Sequence, residues 1–308
     1  MGTQSESLPQ WRVGVVGAGA VGGALLAALG VVGDTVRMAP VAVFSRTFDH
    51  AQAAAKRAPG CEAVSSLDAL IERCDLIFIA TSDDAIALVA GAALWRSGQV
   101  VAHLSGAHGV TPLAAAAARG AMTAALHPLM TFPRSLRDAT AADILARMAG
   151  ATWALECPDA EAARRLSALV TALAGRVIAL TEADRAPYHL SGVLASNYVA
   201  TLLGAASELW QGWGVERGDA LRALLPLLRA TVENLESVGL PDALTGPIAR
   251  GDVGAVRIHE EWLRASPAAA DLRAAYEALA RLTVPLAREK RSLDDAGASA
   301  ILRALDGE

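Results

Sequence analysis

The sequence predicts an α/β protein: a doubly wound parallel sheet followed by an all-helical C-terminal domain. Three observations carry this. Short, continuous apolar runs alternate with helix-prone segments over the first 180 residues, the pattern of parallel strands covered on both faces. The first of these runs feeds straight into a glycine-rich turn and then a helix. From about Thr181 to Leu305 the pattern becomes helical and stays so, with breaks at 212–214, 239–241, 246–247, 251 and 266–267. The chain is therefore expected to divide into a disordered polar tail (1–10), a nucleotide-binding domain (11–180) and a helical domain for substrate and subunit contacts (181–308).

The first strand is placed at residues 13–16, ahead of Gly17-Ala18-Gly19-Ala20-Val21-Gly22 and the helix-prone stretch 24–29. A GxGxxG between a strand and a helix is the Rossmann dinucleotide fingerprint. Gly17 permits the tight turn, Gly19 lets backbone N–H groups approach a pyrophosphate, and Gly22 permits close helix–strand packing. The helix start adds its positive end. The second strand, 41–44, ends in Ser45-Arg46-Thr47, with no carboxylate at the tip to take a ribose 2′-hydroxyl. A guanidinium flanked by two hydroxyls suits a 2′-phosphate, which favours NADP(H). Asp49 keeps NAD as the alternative, and the segment 30–40 is longer and more polar than a minimal connection.

Further along, helix 51–57, short strand 61–64, helix 66–73 and strand 75–80 follow in order. Strand 75–80 ends in Thr81-Ser82-Asp83-Asp84, which opens helix 85–94, and strand 99–104 ends at Ser105-Gly106. A sixth strand, 121–126, ends at His127-Pro128, and after Thr152-Trp153-Ala154-Leu155-Glu156 come helix 160–173 and strand 176–180. Ligands in such sheets sit beyond the carboxyl ends of the strands. Thr81 and Asp83 are thus expected at the cofactor, and Ser105, His108 and His127 beside it. The first C-terminal helix, 187–213, would span roughly 40 Å and is apolar on most faces, which predicts a buried central helix and a homodimer interface.

With 308 residues, 53% apolar and 19% charged, the chain is long enough for two cores. A net charge of −5 with dispersed basic residues predicts no nucleic-acid partner. Residues 1–10 lack the charged and apolar regions of a signal peptide, so a cytoplasmic location is expected. The uncharged stretch 186–206 carries Tyr188, His189, Ser191, Ser196, Asn197 and Thr201, a poor set for hydrocarbon, so no membrane span is expected. Cys61, Cys74 and Cys157 are isolated, giving neither a disulfide framework nor a metal site.

Several motifs together resemble one bacterial group. The fingerprint with Ser45-Arg46-Thr47, Ser105-Gly106, HPLMTF at 127–132, YHLSGVLASNY at 188–198 and LTGPIARGD at 244–252 are similar to Rossmann-like proteins whose C-terminal domain is the domain of unknown function 2520. That group resembles pyrroline-5-carboxylate reductase, ketopantoate reductase, 6-phosphogluconate dehydrogenase and deazaflavin-dependent NADP oxidoreductase in architecture. The resemblance covers nearly the whole chain. It implies an NADP-linked oxidoreductase with a nucleotide domain and a helical C-terminal domain.

Hydride transfer to a carbonyl or imine needs a donor near the reacting oxygen or nitrogen. The chain has two lysines, Lys56 and Lys290, and neither stands at a strand end or in a motif. The candidates are therefore His127 and His189, with His259 behind them, supported by Ser105 and Asn197. Each also admits a structural reading: His127 as a strand cap, His189 as an interface group, His259 on a solvated helix face, and Asn197 as a helix–helix contact. Arg250 and Asp252 read as an ion pair or as ligands of a substrate carboxylate, and Thr245-Gly246-Pro247 as a helix start. The leading expectation is NADPH-dependent reduction of a small 2-oxo acid such as ketopantoate. The alternatives are reduction of a cyclic imine, which can arrive already protonated, and an NADP(H)-sensing protein without turnover.

Overall fold

The computed structural model describes residues 9–307, so all but the last two residues of the expected tail 1–10 lie outside the described residues. Eight strands form one sheet in the order β3-β2-β1-β4-β5-β6-β7-β8. They are β1 (Trp11–Val16), β2 (Met38–Phe44), β3 (Glu62–Ala63), β4 (Leu76–Ile79), β5 (Val100–His103), β6 (Met122–Pro128), β7 (Thr152–Glu156) and β8 (Arg176–Ala179). In the same part of the chain, the helices are α1 (Ala20–Val36), α2 (Phe48–Ala55), α3 (Leu67–Arg73), α4 (Asp83–Ala92), α5 (Ala114–Ala117), α6 (Ala141–Met148) and α7 (Ala160–Ala172). The strand order reverses between β1 and β4, and the crevice at such a switch point is where open α/β sheets bind ligands.

Both faces of the sheet are buried, as the continuous apolar strands require. Val13, Val15, Leu25, Leu29, Phe78 and Trp153 share a core on one side. On the other, Val16, Ile77, Ile79, Val101 and Trp95 form a second. Two local expectations change. The first helix does not stop near residue 29 but continues to Val36. Its internal glycines serve close approach rather than termination: a Cβ at Gly33 would lie 2.3 Å from the Met38 carbonyl oxygen, and one at Gly30 would lie 3.0 Å from the Ala58 Cα.

The sheet is also not parallel throughout, because β7 runs antiparallel to β6, with His127 opposite Ala154 and Pro128 opposite Trp153. Between them the only α-helix is the eight-residue α6, about 12 Å long. β7 starts beside the end of β6 and runs back along it. α6 opens on a capping box made by Thr140 and Asp143.

The described chain falls into two compact units, up to Asn197 and from Tyr198 onward. Helical structure is continuous over Glu182–Trp213. It contains α8 (Arg185–Gly192), a π-helical turn (Val193–Asn197) and α9 (Tyr198–Leu209). By length and composition this segment is the one among the described residues that could cross a membrane. The expectation that it is a buried central helix is corrected: 6% of its most apolar window is buried, and Leu190, Leu194 and Tyr198 are each more than half exposed. Apolar composition gave the expectation, but composition alone does not place neighbours against a helix.

The second unit is entirely helical beyond its turns, with α10 (Arg217–Val238), α11 (Val253–Arg264), α12 (Ala270–Glu289) and α13 (Asp295–Asp306). Val256, Ala280, Val284, Ala287 and Ile301 form its core. Lys290 Nζ donates to the carbonyls of Asp242 and Leu244, both at 2.8 Å, and so secures the turn before α11. Thr245-Gly246-Pro247 lies in turns rather than at a helix start. Asp252 accepts from the Ala255 N–H at 3.0 Å as the α11 N-cap, and no ion pair with Arg250 forms among the described residues.

Candidate active site

The glycine-rich turn lies at the switch point, and its backbone explains its composition. Gly17 adopts φ +107°, and a Cβ there would lie 2.5 Å from the Ala80 carbonyl oxygen at the end of β4. A Cβ on Gly22 would fall 2.0 Å from the Gly17 carbonyl oxygen. At Gly19 nothing lies within 4 Å of the Cβ position, so space stands open in front of the α1 N-terminus. Ala20 and Val21 begin α1. This is a cradle whose backbone N–H groups and helix end can hold a phosphate pair.

Beside it an open cleft of about 950 Å³ is lined by Val16, Gly17, Phe44, Ser45, Arg46, Thr81 and Ser82. Ser45 and Arg46 thus stand at the tip of β2 as the sequence indicated, and Arg46 is exposed with no ion pair among the described residues. Thr47 is the residue before α2 rather than part of this lining. Thr81 Oγ1 donates to the Ser82 carbonyl at 3.2 Å. Asp83 opens α4, 3.9 Å from His108 Nε2. Ala18 and Gly19 border a separate hollow with His50, Arg57 and Arg137.

Within the same first unit, His127, His189 and Asn197 line one cleft of about 980 Å³, together with Met130, Thr131 and Ser196. The two histidines close over Gly106: a Cβ there would lie 2.8 Å from His127 Cε1 and 3.0 Å from His189 Cδ2. His127 is carried by the end of β6 and His189 by α8, while the π-helical turn supplies Asn197. Wide turns of this kind recur at functional sites. His127 Nδ1 and the Tyr188 hydroxyl are 2.8 Å apart, with the rings edge-on. Burial, reinforced by the positive charge near His189 and Arg185, pushes the His127 imidazolium down to about 4. Burial likewise raises the Tyr188 phenol to about 12. Both groups are therefore neutral at physiological pH.

Ser105 is buried and turned to its own loop, where its Oγ accepts from the Ala107 N–H at 3.2 Å. It does not line the histidine cleft. His259 is elsewhere, in the second unit, 3.1 Å from the Tyr276 hydroxyl.

A supporting shell that sequence reading missed lies beneath these residues. His103, fully buried at the end of β5, contacts both the Ser105 N–H and the Gly109 carbonyl. Arg185, 1% exposed, donates to the Ala125 carbonyl at 3.2 Å and stands 3.7 Å from Glu156. Glu182 accepts from the Gly109 N–H at 3.1 Å and from the Thr111 hydroxyl at 2.7 Å. The signal for Arg185, Tyr188 and His189 was their i, i+3, i+4 spacing, which puts all three on one stripe of α8.

Comparison with solved structures places this fold in context. A Bacteroides fragilis protein designated an NADP oxidoreductase superposes with a TM-score of 0.71 at 22% identity, over 91% of this chain and all of that one. Pyrroline-5-carboxylate reductase from Streptococcus pyogenes gives 0.56 at 14% identity, over 97% and 98%. The reductive aminase from Aspergillus terreus, solved with NADPH and ethyl levulinate, gives 0.62 at 19% identity, over 95% and 98%. At these identities the likeness is one of fold. No curated protein matches the sequence. The family models fall one after the other, the Rossmann-like domain on residues 3–128 and the domain of unknown function (DUF2520) on residues 151–283. The chain thus matches a Rossmann-like model in its first part and the DUF2520 model in its second.

Proposed function

We propose that this protein is an NADP(H)-dependent oxidoreductase that reduces a small carbonyl or imine compound. The observation that carries the reading is the pairing of His127 and His189 over Gly106, in an open cleft at the strand ends of a sheet whose switch point holds the glycine cradle. The cradle fits a dinucleotide: Gly17 and Gly22 are closed against backbone, and the space before Gly19 is open. Arg46 and Ser45 would hold the 2′-phosphate that distinguishes NADP from NAD. When bound, the reduced nicotinamide supplies a hydride to an sp² carbon.

The chain's own contribution is to hold and polarise the acceptor. His127, neutral at physiological pH, stabilises developing negative charge by hydrogen bonding rather than by acting as an imidazolium acid, and the proton that completes the reduction comes from solvent in the open cleft. Met130 adds an apolar lining to the cleft, while Thr131, Ser196 and Asn197 offer neutral polar contacts that orient a small substrate.

A 2-oxo acid, with ketopantoate as the first compound to test, is the leading substrate class. Cyclic imines form the second reading, favoured by the likeness to the pyrroline-5-carboxylate reductase and the reductive aminase. The exposed apolar residues of the Glu182–Trp213 segment support a homodimer rather than a membrane span, because the same segment places the polar side chains of His189, Ser196 and Asn197 in the cleft. The deciding experiment follows NADPH oxidation with panels of 2-oxo acids, cyclic imines and ketone–amine pairs. Turnover of one class establishes the activity. Tight NADPH binding with no oxidation across all panels would instead favour a sensing protein.

A further inference from the structure

We infer that Tyr188 is a positioning residue that fixes His127 as the Nε2–H tautomer, so that the cleft offers a hydrogen-bond donor to a substrate lone pair. For the substrate this rests on the reductase reading; for the tautomer it does not. The argument begins with the contact of 2.8 Å between His127 Nδ1 and Tyr188 Oη. Two assignments are compatible with that distance. If Nδ1 carried the proton, it would donate to the hydroxyl oxygen, and the hydroxyl's own proton would need a second acceptor. The Tyr188 hydroxyl has no second hydrogen-bond partner among the described residues. A phenol O–H is a stronger donor than a neutral imidazole N–H, and a bare imidazole nitrogen a stronger acceptor than a phenol oxygen, so donation from the hydroxyl to Nδ1 is the better of the two bonds.

The opposite ring edge then carries the hydrogen. Nε2 lies over Gly106, 2.9 Å from the position a Cβ would occupy, next to the His189 ring and without a hydrogen-bond partner among the described residues. The neutral states of both rings, favoured by burial, agree with this arrangement. The edge-on ring contact holds the imidazole plane so that Nε2–H keeps its direction.

The consequence is a statement about substrate. A fixed N–H donor is matched by a ketone or aldehyde oxygen, or by the bare nitrogen of a neutral imine. It is mismatched with an iminium ion, which presents its own N–H. The site is therefore built for an acceptor that arrives unprotonated.

The test is ¹⁵N NMR on the full-length, histidine-labelled protein without ligands, with the His127 signals assigned by their loss in His127→Gln. The expected spectrum at neutral pH has an unprotonated, hydrogen-bonded Nδ1 and a protonated Nε2. In Tyr188→Phe the Nδ1 signal should move to that of an unbonded nitrogen. With the compound that the NADPH screen identifies, kcat should fall by up to about tenfold while NADPH affinity is unchanged. A protonated Nδ1 in the parent protein overturns the inference, as does an unaltered His127 spectrum in Tyr188→Phe. If that variant fails to fold, the parent spectrum alone decides. The expected spectrum with no turnover of any compound would sink the reductase reading and leave the tautomer standing. Turnover with Nδ1 protonated would do the reverse.

Discussion

His103 Nδ1 accepts the backbone N–H of Ser105 at 3.1 Å, and its Nε2 meets the Gly109 carbonyl at 2.6 Å. Because Nδ1 is an acceptor, Nε2 carries the hydrogen, and burial keeps the ring neutral. One side chain therefore pins both ends of the loop on which Gly106 sits. His103→Leu should cost about 1–3 kcal/mol, since it leaves a buried N–H and a buried carbonyl unpaired. Urea denaturation measures this. A change within a few tenths of a kcal/mol would show that the loop is held by other contacts.

Arg46, exposed at the tip of β2 beside Ser45, is the group expected to select the phosphorylated cofactor. Arg46→Ala should weaken NADPH binding by about 1.5–3 kcal/mol and leave NADH binding nearly unchanged, because one charge-assisted contact is lost for only one of the two ligands. Calorimetry with both cofactors checks it. Equal losses would move the selectivity elsewhere.

Removal of the donor over Gly106 should act on chemistry and not on cofactor affinity. His127→Gln is expected to lower kcat by about 10²–10³, the range for deleting a preorganised donor, with an unaltered NADPH dissociation constant. Steady-state kinetics on the identified substrate, paired with a binding titration, separates the two effects. Near-parental turnover would rule out His127 in favour of His189.

The depressed imidazolium of His127 has a signed effect on stability. Its folded value of about 4 lies below the ordinary 6.5, so between these values the unfolded chain binds the proton that the folded chain refuses. Stability should then fall as pH drops from 6.5 toward 4, by at most about 1.4 kcal/mol per pH unit from this group. Other groups titrate in the same window, so the measurement is the difference in unfolding free energy between the parent and His127→Gln. That difference should shift against the parent as pH falls, and a pH-independent difference would contradict the assignment.

In the second unit, α9 and α10 leave an apolar groove lined by Val199, Leu202, Leu203, Leu224 and Leu227, with Leu227 66% exposed. Patches of this kind mark association surfaces. Light scattering at micromolar concentration should give twice the monomer mass, and Leu202→Glu with Leu227→Glu should restore the monomer. A monomeric parent protein would dispose of the dimer.

The parts of the site that the sequence disclosed are those fixed by local geometry. A glycine is visible wherever backbone must approach backbone, which is why the close contacts at Gly17 and Gly22 were legible, and His127 could be placed because a strand end is a local feature. His103 was passed over because it looked like one more residue of a buried strand. Tyr188 was seen as a neighbour of His189, but its partner His127 lies 61 residues away and is brought near only by tertiary packing. The length of α1 and the direction of β7 were hidden for a related reason. Gly30 and Gly33 resemble helix breakers until Ala58 and Met38 are seen against them, and the direction of β7 is set by its pairing with β6, a tertiary feature.

The glycine cradle is also closed by the protein alone. Gly17 donates its N–H to the Phe44 carbonyl at 2.8 Å, and Gly23 donates to Gly19 at 2.9 Å. Its shape is thus held by the chain's own backbone hydrogen bonds, which lowers the ordering cost of docking a dinucleotide. Association should be governed by diffusion and electrostatic steering rather than by loop ordering, and amide exchange through the turn should already be slow before any ligand arrives.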